Sequence, residues 1–172
     1  ESIQIKQTTM GEKIIPINQA IQQDSRKKLS ECYAPSNCMF HAGKLVTVTD
    51  AMNSSSHSLG KLQREQDKKF TIGLVSAWLI YLNEILNLNK PMSEEQIKLA
   101  ATLICEEFYM LKMADLTLLF KRIISGQFGE FYERLSIDKV MTFFREYREE
   151  RFEIAIDQSS RDHVNNKQNE KI

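Results

Sequence analysis

ADLTLLFKRIISGQFGEFYERLSIDKVMTFFREY, residues Ala114 to Tyr147, is the stretch that decides the fold class. Two amphipathic runs flank a hinge holding Gly126 and Gly129, two of the chain's six glycines, with Phe128, Phe131 and Tyr132 around them. Glycine tolerates positive φ, so a pair set among aromatics predicts a shaped turn between helices rather than a slack linker. Before the hinge, Asp115 is the expected N-cap of a short helix through Ile124. After it, Ser136 is the expected cap of a helix whose buried side is marked by Ile137, Val140, Met141, Phe144, Tyr147 and Phe152. No spacing in the block specifies a reaction.

Helical periodicity continues upstream. Ser93 and Gln96 form a capping-box pattern after the break Asn89-Lys90-Pro91-Met92, and Ile97, Ala100, Ala101, Ile104, Phe108 and Leu111 then recur at helical steps. Leu59, Leu62 and, after a charged stretch, Phe70 to Leu88 predict one long helix. Its second half is apolar nearly all round, which predicts a central helix covered on several sides, with Trp78 and Tyr81 in the core. The same run has the length of a membrane span, but Asn83, Glu84 and Asn87 interrupt it and Lys68, Lys69 and Lys90 flank it, so a buried helix without membrane contact is expected.

Residues 1–57 differ in character. They are rich in Gln, Ser, Thr and Asn and run into Asn53-Ser54-Ser55-Ser56-His57-Ser58. Such composition buries little apolar surface, so a polar arm is expected, with one modest helix after Pro16 presenting Ile17, Ala20, Ile21 and Leu29. Lys44 to Thr49 is the one β-like run, a lone strand or an extended arm. After Ile156 the chain turns polar. The expected organisation is therefore an arm at 1–57, an all-α bundle of about four to six helices at 58–156, and a flexible tail at 157–172.

The 172 residues carry 23 basic and 23 acidic side chains, 42% hydrophobic residues and 27% charged ones. That balance denies the chain the global attraction to polyanions that many nucleic-acid binders have. Glu1 to Thr9 show no basic segment followed by an apolar run, so no signal peptide is expected. Three cysteines, Cys32, Cys38 and Cys105, are too few for a disulfide scaffold and point to a reducing cytoplasm.

Candidate chemistry is sparse. Cys32, Cys38 and His41 are the one cluster of metal-ligand types, with His57 or Cys105 as a fourth ligand; the spacing matches no common zinc motif, so two free thiols and a surface imidazole compete with a zinc-stabilised segment or metal-dependent enzyme. Histidine-dependent nucleophilic catalysis has His41, His57 and His163 to draw on, all in segments expected to be poorly structured. The acidic pairs Glu94-Glu95, Glu106-Glu107 and Glu149-Glu150 suit solvated helix faces better than acid/base work. Ser125 to Gly129 lacks the lysine and length of a phosphate-binding loop.

Basic and aromatic residues interleave in the last third: Lys121, Arg122, Arg134, Lys139, Arg145, Arg148 and Arg151 with Phe128, Phe131, Tyr132, Phe143 and Tyr147. Arg122, Phe128, Arg134, Arg148 and Arg151 are the candidate contacts for a partner or a nucleic acid. Helix-surface pairing of Arg145 with Glu149 and of Arg134 with Asp138 competes with that reading. Arg148 and Arg151 continue the stripe 137, 141, 144, 148, 151, 155 where apolar residues are expected, so they need either acids, with Glu106, Glu107 and Asp115 as candidates, or an external ligand.

The span from about Leu59 to Arg151 resembles an uncharacterised family of small helical proteins encoded by phages and mobile genetic elements. The residues that carry the resemblance are Trp78 with Leu82-Asn83, Met92-Ser93, Ile104 with Glu107-Phe108-Tyr109, Leu111-Lys112, Asp115-Leu116, the run Gly126 to Tyr132, and Tyr147 with Arg151. The resemblance implies an accessory module with no assigned catalytic or binding residues. The expected function is a non-enzymatic, cytoplasmic adaptor without a required cofactor, acting on a partner protein. A nucleic-acid-binding replication factor is the alternative.

Overall fold

A computed structural model describes residues 17–129 and 134–169. The expected arm over residues 1–16, the hinge aromatics Phe131 and Tyr132, and the last three residues of the expected tail lie outside these. The described residues form eight α-helices: α1 (Ile17–Cys32), α2 (Pro35–Phe40), α3 (Val48–Asn53), α4 (Leu59–Glu65), α5 (Lys68–Leu86), α6 (Glu94–Glu107), α7 (Met113–Ile124) and α8 (Ile137–Asn169), with a 3-10 turn at Ala42–Lys44. The fold is all-α, with more and shorter helices than periodicity alone suggests.

Local side-chain chemistry explains the extra breaks. The long helix expected from Leu59 is interrupted at Gln66, because the Asp67 carboxylate accepts from the Phe70 amide at 2.6 Å and starts α5 afresh. The β-like run at 44–49 is not a strand. Thr47 caps α3, its hydroxyl accepting from the Asp50 amide at 3.2 Å while the Asp50 carboxylate accepts from the Thr47 amide at 2.8 Å. The Ser93–Gln96 box forms as expected. In α7 the helix begins one turn before the expected cap: Asp115 is the third helical residue, and its carboxylate accepts from the Lys112 amide at 2.7 Å.

The glycine turn takes the expected form. Gly126 and Gly129 have φ of 83° and 85°. The Gly126 amide donates to the Ile123 carbonyl at 3.1 Å and the Gln127 amide to the Arg122 carbonyl at 3.0 Å, the paired bonds of a Schellman termination of α7. Phe128 folds back from this turn onto Phe143, ring centroids 4.8 Å apart.

α7 is the central helix. Every residue from Met113 to Phe120 is buried. Around it Trp78, Phe120, Phe144 and Phe108 form a chain of edge and tilted ring contacts with centroids 5.1 to 6.2 Å apart. α5, expected at the centre, buries only one side through Thr71, Leu74, Val75, Trp78, Leu79 and Leu82. It is also the one described helix long and apolar enough to cross a membrane. Tyr81 lies at its half-buried edge.

Residues 17–57 do not form a separate arm where they are described. Tyr33, Ala42, Val48 and Ala51 are part of the core. The Trp78 indole donates to the Tyr33 carbonyl at 3.0 Å, and Arg26 holds Asp67 at 2.6 Å. The serine run is knitted to the loop before α7: the Lys112 ammonium donates to the Met52 and Ser54 carbonyls at 2.6 and 2.7 Å, capping the end of α3, and the Met113 amide donates to the His57 carbonyl at 2.9 Å. In α1 only the far end of the expected face is used, since Leu29 packs on the core while Ala20 and Ile21 are exposed. α8 stays helical from Asp157, where the flexible tail was expected, to Asn169.

Candidate functional site

The basic and aromatic residues singled out by sequence meet along the seam of α6, α7 and α8. Their charges are turned onto carboxylates of the same chain. Arg122 is 16% exposed and holds both oxygens of Glu150, at 2.6 and 3.2 Å, with its guanidinium 5.7 Å from the Tyr147 ring centre. Arg145 reaches across to Glu107, at 2.8 and 2.9 Å, rather than along its own helix to Glu149. Arg148 shares Glu107 at 3.3 Å and lies over Phe108. These bonds hold the Glu107 carboxyl below its usual range, Arg145 first.

Arg151 meets the fully buried Asp115. Its Nε donates to both carboxylate oxygens at 3.2 Å, the Tyr147 hydroxyl donates to Oδ1 at 2.8 Å, and the Lys112 amide completes the set. Burial raises the Tyr147 hydroxyl pKa well above the usual phenol value, and the Asp115 charge adds to the effect. The position of Asp115 near the start of α7 places its negative charge where the helix dipole favours it. Two of the three acids proposed from sequence, Glu107 and Asp115, thus receive Arg148 and Arg151. The third, Glu106, is taken by Lys68 at 2.7 Å.

Lys121 donates to the Ala42 and Leu45 carbonyls at 3.3 and 3.1 Å. Phe128 is half-buried, its ring packed against Phe143. Arg134 is exposed, and its backbone bridges to Lys90. Of the five candidate contacts, then, three arginines are in internal pairs, the phenylalanine is packed, and Arg134 is exposed at the surface, its charge acting on Asp138.

Cys32, Cys38 and His41 line one cleft of about 280 Å³ beside Tyr33 and Thr117. Among the described residues, no three His, Cys, Asp or Glu side chains converge closely enough to hold a metal. Cys38 donates to the Cys32 carbonyl at 3.5 Å, and Cys105 is buried in the core. His57, assigned by sequence to a poorly structured segment, is ordered by contacts that no spacing announces. Its Nδ1 lies 2.6 Å from the Tyr33 hydroxyl, its backbone amide donates to that hydroxyl at 2.9 Å, and its Nε2 lies 3.4 Å from Glu65. Burial raises the Tyr33 pKa, and the direction of its bond with Nδ1 follows the imidazole tautomer. The Tyr33–His57–Glu65 chain closes on itself and staples α1 and α4 to the serine run.

One face of α8 remains uncommitted. Phe152 is 62% exposed, against the buried position expected for it, and Ile156, one turn on, is 50% exposed. Glu149, Glu153 and Asp157 are exposed along one flank of the pair. Among the described side chains, the last hydrogen bond from α8 to the body is donated by the Gln158 amide to the Thr49 hydroxyl at 3.2 Å. Compared with known proteins, the chain matches no family model, no curated protein and no solved structure.

Proposed function

We propose that this protein is a non-enzymatic helical adaptor that engages a partner protein through α8. The observation that carries the reading is the exposed pair Phe152 and Ile156, flanked on one side by Glu149, Glu153 and Asp157. An apolar pair with an acidic flank suits a partner surface that is apolar at its centre and basic along one edge. The arginines that a nucleic-acid interface needs are held by Glu107, Asp115 and Glu150. The resemblance to proteins of phages and mobile elements makes a component of such an element the partner to look for.

The test is capture from the native host with the full chain and with a Phe152→Ser, Ile156→Ser variant, followed by mass spectrometry and nucleic-acid sequencing. Both positions are exposed, so the variant should keep its melting temperature. Loss of one specific protein from the variant supports the reading. Recovery of nucleic acid in a salt-dependent manner, unchanged by the variant, refutes it in favour of nucleic-acid binding.

A further inference from the structure

We infer that a second copy of this chain covers the outer face of α5, in an antiparallel pair with a two-fold axis between Ser76 and Ala77. This goes beyond the proposed partner contact, which uses α8, and each can fail without the other.

The starting point is a mismatch between composition and burial. A helix apolar on nearly all sides is normally covered on all sides, yet Ile80 and Ile85 are 46% and 49% exposed and Gly73 is open. Lys69, Gly73, Ser76, Ala77, Ile80 and Glu84 lie at three- and four-residue steps on either side of the central pair Ser76-Ala77 and share one outward face. A groove of about 520 Å³ runs between this face and α1–α2, and another of about 560 Å³ between it and α6.

The face is complementary to itself when reversed. Gly73 precedes Ser76 by three residues and Ile80 follows Ala77 by three. Lys69 precedes Ser76 by seven and Glu84 follows Ala77 by seven. Turning a second α5 about the midpoint therefore sets Ile80 of each copy opposite Gly73 of the other, and Lys69 of each opposite Glu84 of the other. A Cβ at Gly73 would meet no atom within 4 Å, so the recess can accept the isoleucine side chain. Among the described residues neither Lys69 nor Glu84 has a carboxylate or ammonium within salt-bridge distance, Lys69 acting on Asp67 at longer range. A contact in which residue i meets j and j meets i is the isologous form that closes a dimer. In parallel register Lys69 would face Lys69, so the charges select the antiparallel pair.

Sedimentation of the full chain over a wide concentration range, with charge reversals, tests this. The wild type should move from monomer to dimer. Lys69→Glu and Glu84→Lys should each weaken dimerisation by about tenfold, since each turns two attractions into two repulsions. The double variant should recover wild-type affinity to within about threefold, which general damage to the fold would not do. Ile80→Asp should abolish the dimer while leaving the melting temperature of the monomer unchanged. A monomer at every concentration, a dimer indifferent to the reversals, or binding of α5 to phospholipid vesicles in place of self-association would each overturn the inference.

Discussion

Arg151→Met is the substitution that most directly tests how the α7–α8 seam is held. It removes the guanidinium from Asp115, which is fully buried and keeps only the Tyr147 hydroxyl at 2.8 Å and the Lys112 amide at 2.7 Å. Stripping a buried charge of its partner costs about 3–5 kcal/mol when nothing replaces it. Two donors and the amino end of α7 remain here, so the expected loss is nearer that of one charged hydrogen bond, about 2 kcal/mol. Asp115→Ala orphans three donors at once and should cost about 4 kcal/mol. For a chain of this length those figures correspond to roughly 4–8 °C and 8–16 °C in melting temperature. Urea denaturation at constant m-value gives the free energies directly. Arg145→Met is the internal control: its side chain is half exposed, so loss of the Glu107 pair should cost under about 1 kcal/mol and shrink further in salt. If Arg145→Met proves as damaging as Arg151→Met, or Arg151→Met shifts the transition by less than about 1 °C, burial does not govern these pairs as argued here.

Other consequences are as direct. Gly126→Val places a β-carbon at φ 83° and should cost on the order of 1–2 kcal/mol, whereas exposed Gln127→Ala should be nearly silent in the same denaturation series. Burial pushes the Cys105 thiol from 9.0 up to about 12 and raises Tyr147 from 10.0. The unfolded chain therefore releases these protons first, and stability should be intact below pH 9 and fall as pH rises beyond it, by at most about 1.4 kcal/mol per pH unit for each group. Cys105→Ala should flatten the first part of that loss in alkaline titrations. The amides of 159–163, exposed and past the Gln158–Thr49 bond, should exchange hydrogen far faster than those of α7, because an exposed polar helix turn is barely stable; equal protection would show that something packs on it.

What the chain encodes by itself is what can be read within three or four residues. The Ser93–Gln96 box, positive φ at Gly126 and Gly129, the apolar steps from Ile97 to Ile104, and the stripe 137, 141, 144, 148, 151, 155 all rest on contacts one helical turn long, although α6 ends at Glu107, before the Leu111 expected on its face. The caps at Thr47 and Asp67 are equally local. Their signals lay in the sequence but were outweighed by a β-branched run in one case and an apolar periodicity in the other. Other outcomes had no local signature, because they depend on which helix lies beside which. Arg145 has an acid one turn away at Glu149 and still takes Glu107 from α6, since a long side chain bonds with whatever packing brings into reach. Tyr33 and His57 are 24 positions apart and meet only because α1 crosses the serine run. Phe152 looked like core, but it lies one position past Arg151, off the stripe of α8 that faces the body, and is exposed. Tertiary packing likewise made α7 rather than α5 the central helix and left apolar α5 with an open face, and periodicity cannot register this because it records that a helix has an apolar surface but not how much of that surface its neighbours reach.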